Sequence, residues 1–162
     1  MNIRPAKMSD LDEISAVESA CFPPIEAASK ESLEKRINAY GDSFLVAEED
    51  GRIIGFINGS ATDERVIHDE MFSDIACHKE NGTYQAIFGL SVAPEHQRKG
   101  IARTLMNALI DHARSHGKKG LILTCKEHLV AYYGTFGYQN LGVSASTHGG
   151  AVWYDMILEF NK

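Results

Sequence analysis

The stretch Gln97-Arg98-Lys99-Gly100-Ile101-Ala102, "QRKGIA", joins an apolar run, "AIFGLSV" (Ala86–Val92), to a segment with helical spacing, "IARTLMNALIDHARSHG" (Ile101–Gly117). Two cations, a glycine and a small residue therefore stand at the mouth of a helix that follows a strand. The first N–H groups of a helix lack partners inside it and carry partial positive charge, which suits a phosphate. Small residues at positions 100 and 102 let backbone approach a pyrophosphate, and Arg98, Lys99 and Arg103 add positive charge around it. The spacing is Q/R-x-x-G-x-G/A, with Gln97, Gly100 and Ala102 at the fixed positions. Two other phosphate patterns, G-x-G-x-x-G and G-x-x-x-x-G-K-[ST], do not occur. The competing reading of these six residues alone is an ordinary basic surface turn.

Strand and helix signals alternate on both sides of this stretch. "NIRPA" reads as a short first strand, and "SDLDEISAVESACF" as a helix capped by Asp10 or Ser9 with Leu11, Ile14, Val17 and Ala20 at helical spacing. "SKESLEKRINAYG" reads as a second helix starting at Ser29 or Lys30 and ending at Gly41. "SFLVAEEDGRIIGFINGSA" places two β-rich runs around Asp50–Gly51, which predicts a hairpin from Ser43 to Ala61. The acidic segment 63–80 is expected to be partly helical. The strand "YQAIFGLSV", the turn "APEH" and the helix from "QRKGIA" follow. "LILTC" is a short buried strand, "HLVAYYGTFG" a helix stopped near Gly137, and "AVWYDMILEF" a final strand. The order β-α-α-β-β-β-α-β-α-β-β predicts an α/β fold, a mixed central sheet with helices on both faces.

The 162 residues, 44% hydrophobic and 23% charged, are expected to form one soluble domain, 1–162. No run of about 18 apolar residues implies a membrane span, and "MNIRPAKMSDLDEI" lacks the apolar core of a secretory signal. Cys21, Cys77 and Cys125 are odd in number, far apart and without C-x-x-C pairing. That argues against a disulfide framework or a zinc site and for the cytoplasm. A formal net charge of -6 argues against a nucleic-acid partner, and an acidic protein attracts cations, protonated amines among them.

The strand–"QRKGIA"–helix arrangement, together with "LILTC" and then "LVAYYGTFGY", resembles the GNAT superfamily of N-acetyltransferases over essentially the whole chain. Within it, "CFPPIEAAS", "LTCKEHLVAYYGTFGYQNLG" and the hairpin followed by "ATDERV" resemble serotonin (arylalkylamine) N-acetyltransferases and their bacterial relatives. The resemblance implies the GNAT fold and an acetyl-CoA-dependent acyltransferase that uses no metal. Its acceptor is a small-molecule primary amine, attacked in a ternary complex, and the protein is a monomer or homodimer. Leu90, Ser91 and Val92 would run beside the pantetheine arm of acetyl-CoA. Arg98, Lys99, Gly100, Ile101, Ala102 and Arg103 would hold its pyrophosphate. Gly89 would mark a bulge or a close backbone approach.

Tyr133 would protonate the departing thiolate, and Phe22, Pro23 and Pro24 would wall the amine site. The bland alternatives are a core tyrosine and a rigid loop that ends a helix. Cys125 lies in an apolar strand and reads as inert rather than as an acyl carrier. Serotonin-type enzymes carry two histidines where this chain has Ala86 and Phe88, and neither of these can take a proton. His78, Glu80, His128 or a water chain ending on backbone carbonyls are the candidate substitutes, each of the three residues with an ordinary solvated side chain as its alternative. Rival acceptors are a polyamine, an amino-acid derivative or a peptide amine. A silent acyl-CoA-binding module is the rival of another class.

Overall fold

The computed structural model describes residues 1–160. In chain order its elements are β1 (Asn2–Pro5), α1 (Leu11–Cys21), α2 (Lys30–Tyr40), β2 (Phe44–Glu49), β3 (Arg52–Asn58), β4 (Ala61–Thr62) and the single-turn α3 (Glu70–Ser73). They continue with β5 (Tyr84–Ala86), β6 (Gly89–Val92), α4 (Ile101–Ser115), β7 (Gly120–Cys125), α5 (Val130–Gly134), β8 (Gln139–Val143) and β9 (Tyr154–Glu159). Two units carry one sheet each. The first comprises Met1–Gly59 and Gly89–Asp111; the second comprises Ser60–Phe88 and the chain from His112 onward.

In the first unit the strands are antiparallel in the order β1-β2-β3-β6. The β2–β3 hairpin closes as expected at Asp50 and Gly51, whose φ angles of 52° and 77° give the left-handed pair that matches strand twist. Apolar residues at helical spacing, Ile14 and Val17 on α1 and Leu33 and Ile37 on α2, are buried. Phe44 and Phe56 pack at 5.7 Å between ring centroids. Phe56 and Glu18 of α1 both lie near Gly89, on one face of the sheet. Gly55 alternates to the other face, where a Cβ would sit 2.8 Å from the Ser91 carbonyl oxygen and 3.3 Å from Leu105 of α4. Only glycine admits that approach, and helices therefore cover both faces of this sheet.

The caps follow the sequence in part. Ser29 starts α2 by accepting from Ser32 N–H at 3.1 Å, and Gly41 ends it with φ 56°. Asp10, expected to cap α1, is itself helical at φ -87°, ψ -8°. Its carboxylate accepts from Lys7 N–H at 2.8 Å instead, because a 3-10 turn, Met8–Asp10, starts the helical run earlier.

In the second unit the order is β4-β5-β7-β9-β8, mixed because β5 and β7 run parallel. Ala86, Ile122 and Ile157 form a buried core with Ile67, Met71 and Tyr84, and Phe72, Cys77 and Phe88 pack against it. The acidic segment is partly helical, with α3 and a 3-10 turn at Ile75–Cys77. Two strands differ from the expectation. The run Tyr84–Val92 is interrupted at Ile87 and Phe88, so that Tyr84–Ala86 belongs to one sheet and Gly89–Val92 to the other. The last strand starts only at Tyr154, because the chain before it is leaving a turn in which Gly149 and Gly150 take φ 62° and 72°.

Candidate active site

β6 is an edge strand, paired with β3 alone in its sheet. Ala93 N–H donates to the Ile54 carbonyl at 2.8 Å, and this sets the phase of the ladder. Antiparallel alternation then directs the backbone groups of Ser91 to β3 and those of Leu90 and Val92 to the open edge. Of the three residues expected beside pantetheine, two present backbone there and Ser91 does not. Val92 carbonyl accepts from Gln97 Nε2 at 3.0 Å and from Cys21 Sγ at 3.1 Å, which leaves its N–H and both groups of Leu90 facing out. Gln97 thus ties the loop back to the strand.

Beyond the 3-10 turn Pro94–His96, Arg98 and Gly100 take φ 64° and 82° before Ile101 opens the 15-residue α4. Left-handed residues in such a turn direct successive N–H groups into one concavity, a recurring anion cradle. No heavy atom lies within 4 Å of the place a Gly100 Cβ would take. Arg98, Lys99 and Arg103 are exposed, Ala102 is half-buried, and Ile101 anchors the helix in the core. Open backbone donors flanked by three cations fit a polyphosphate.

Phe22 leaves α1 in extended conformation and is half-buried; Pro23 and Pro24 are exposed. A tight turn follows, in which Pro23 carbonyl accepts from Glu26 and Ala27 N–H, each at 2.9 Å. Below it lies a residue that sequence reasoning missed. Glu18 is 5% exposed, accepts from Ala28 N–H at 2.8 Å and from Ser91 Oγ at 3.3 Å, and so pins the 22–28 loop and β6 together. Its position four residues after Ile14, on the apolar stripe of α1, was the available signal.

In the second unit, the half-buried Tyr133 ring packs edge-on to Tyr132 at 5.2 Å and to Tyr138 at 6.0 Å. Burial first, then Cys125 and Tyr132, hold its phenol well above the ordinary tyrosine value, so it stays protonated at neutral pH. Burial pushes the Cys125 thiol up to about 11, which removes the thiolate that an acyl carrier requires.

The candidate bases fare poorly. His78 Nδ1 accepts from Ala61 N–H and Nε2 meets Glu80 Oε2, both at 3.0 Å, so both ring nitrogens are engaged. Glu80 and His128 sit on the exposed surface. Unforeseen in the sequence is an aromatic row. Phe72 stacks on His148 at 5.0 Å and meets Phe88 at 5.2 Å, while His148 lies 6.1 Å from Trp153. Asp69 holds the loop that carries His148 by accepting from Ser146 Oγ and from Thr147 N–H.

Residues 11–138 match the family model described as "Acetyltransferase (GNAT) family". The chain belongs to the GNAT family. Among curated relatives, "Probable hydrolase YhcX" of Bacillus subtilis (strain 168) is 28% identical over 130 residues, covering 76% of this chain and 25% of that protein. Serotonin N-acetyltransferase of Mesocricetus auratus is 27% identical over 109 residues, covering 67% of this chain and 51% of that protein. The chain therefore spans a quarter to a half of these relatives' lengths. A solved structure, the GphF GNAT-like decarboxylase in complex with isobutyryl-CoA, superposes with a TM-score of 0.84 at 19% identity, covering 99% of this chain and 100% of that one. The GNAT fold, mixed strands flanked by helices, is thereby established for this chain. Among the described residues no group of His, Cys, Asp and Glu is arranged to hold a metal ion, and no helix is long and apolar enough to cross a membrane.

Proposed function

We propose that this chain transfers an acetyl group from acetyl-CoA to a primary amine. One observation carries the reading: the open edge of β6 runs into the left-handed loop at Arg98 and Gly100 and on into α4. Leu90 and Val92 offer backbone donors and an acceptor to an amide-rich arm, as an added strand would require. The loop N–H groups, Arg98, Lys99 and Arg103 receive the pyrophosphate. Membership of the GNAT family supports the same assignment.

When bound, acetyl-CoA supplies a thioester carbonyl that a neutral amine attacks directly, with loss of the thiolate. Tyr133 donates its phenolic proton to that thiolate. A phenol buried as this one is keeps its proton until the leaving group demands it. Much of the acceleration comes from holding amine and thioester together.

For the acceptor we favour an arylalkylamine. The likeness to serotonin N-acetyltransferase supports it, as do Phe22, Pro23 and Pro24 around a pinned loop. The polyamine alternative needs free carboxylates in segment 63–80, and several are committed there. Asp63 accepts from Thr83 and lies 3.6 Å from Lys79, and Asp74 accepts from Ala76 N–H at 2.9 Å. The test is release of free thiol from acetyl-CoA with phenethylamine, tryptamine, spermidine and a peptide amine. Spermidine exceeding tryptamine tenfold or more in kcat/KM would transfer the assignment to polyamines.

A further inference from the structure

An alkylamine is mostly protonated at pH 7 and must lose a proton before it can attack. Ala86 and Phe88 cannot accept one, and both nitrogens of His78 are engaged. The sheet of the second unit holds another group that can. Asp155 on β9 pairs with Thr124, Ile157 pairs with Ile122, and Ile122 pairs with Ala86 across the parallel ladder. Side chains alternate along a strand, so Asp155 lies on the face that carries Ala86, Ile122 and Ile157. That face is the apolar core of the unit, with Phe72 and Phe88 packed against it.

A carboxyl on such a face is costly unless something pairs with it. Oδ1 of Asp155 is closed off from solvent and has no hydrogen-bond partner among the described residues. The same unit carries the half-exposed aromatic row of Phe72, His148 and Trp153. Trp153 is two residues from Asp155, its carbonyl accepting from Ser144 N–H at 2.8 Å, and its indole Nε1 donates to His148 carbonyl at 2.8 Å. An unpaired carboxylate oxygen on an apolar face matches one chemistry, a cationic group such as an ammonium ion.

We infer that Asp155 holds the ammonium group of the acceptor amine and takes its first proton. The inference rests on the acetyltransferase reading and completes its proton balance. R-NH3+ gives one proton to the Asp155 carboxylate, and Asp155, which is partly exposed as a residue, later passes it to solvent. The resulting R-NH2 forms the C–N bond as the C–S bond breaks. Tyr133 gives its proton to the thiolate, and the second proton of the amine restores the phenol. Burial raises the Asp155 carboxyl above the ordinary value, while Ser144 and the charge of His68 pull it back. The same burial disfavours an ammonium ion, so the gap the proton crosses narrows from both sides.

Asp155→Asn keeps the shape and removes the base. At pH 7, kcat/KM for phenethylamine should fall by about 10²–10⁴-fold, the usual worth of general base catalysis. Acetyl-CoA affinity by calorimetry should not change, and phenethylamine affinity should fall. The rate of the variant should recover as pH approaches the value of an alkylamine, around 10, where bulk solvent supplies the free base. If Asp155→Asn melts below wild type, Asp155→Ser is measured in its place. Wild-type kcat/KM and phenethylamine affinity in a folded variant overturn the inference and leave the acetyltransferase reading standing. Phenethylamine binding that depends on Asp155, in a wild type that releases no thiol, keeps the ammonium site and removes the acetyltransferase reading. A wild type that neither binds nor acetylates the amine overturns both.

Discussion

Gly100→Ala tests the phosphate loop through the backbone alone. Gly100 sits at φ 82° with no heavy atom within 4 Å of a Cβ, so the substitution adds no clash. Its whole cost is the left-handed conformation, about 1–2 kcal/mol for a residue with a side chain. If the free loop relaxes to avoid that cost, binding must restore it, and acetyl-CoA affinity should drop about 5- to 30-fold. Gly117 is the matched control, with φ 74° and equally open space, beyond the end of α4. Gly117→Ala should lower the melting temperature by a few degrees, about 2–4 °C per kcal/mol in a chain of this size, with affinity unchanged. Titration calorimetry with acetyl-CoA and thermal melts of both variants give the answer. Undiminished affinity in Gly100→Ala, or an equal loss in Gly117→Ala, refutes the reasoning.

Tyr133→Phe should lower kcat by about 10²–10⁴-fold with acetyl-CoA affinity and melting temperature kept; Tyr132→Phe, its neighbour, should leave kcat near wild type in the same thiol-release assay. Arg4 donates to both oxygens of Asp10 at 2.8 and 2.9 Å, and this holds the Asp10 carboxyl below its ordinary value. A depressed carboxyl stabilises the fold above the unfolded value near ~3.9 and loses that stabilisation as pH falls through its folded value. Asp10→Asn should therefore melt a few degrees lower at pH 7, with the difference closing as pH falls through the lowered folded value of Asp10. Asp155 has the opposite sign, because its folded carboxyl binds the proton more tightly than the unfolded one. Wild-type stability should fall as pH rises from about 4, so Asp155→Asn should melt higher at pH 7 and equally at pH 3. A lower melting temperature at pH 7 would remove the desolvation argument.

What could be read from the sequence was local. Asp50–Gly51 declares a hairpin because two left-handed residues can be satisfied within four positions. The "QRKGIA" loop is legible because its donors belong to its own helix. Ser29 and Gly41 cap α2 for the same reason. What escaped depends on pairing between distant segments. The break at Ile87 and Phe88 exists because β5 joins β7 in parallel while β6 joins β3. His78 looks like a free base until Ala61, seventeen residues away, donates to its ring. Asp155 is one polar residue in an apolar strand, and its register against Thr124 gives it a face. Ser91 looked equivalent to Leu90 and Val92 until the phase of the β3–β6 ladder separated them.

The proposed reaction is acetyl transfer from acetyl-CoA to an amine nitrogen. Its most direct test is a time course in which free thiol is quantified and the amine is weighed by mass spectrometry in the same sample, with phenethylamine as acceptor. The account predicts equimolar thiol and N-acetylphenethylamine, both lost in Tyr133→Phe and reduced in Gly100→Ala. Thiol released at the same rate without amine, or no product from any amine in the panel while acetyl-CoA still binds, would contradict it.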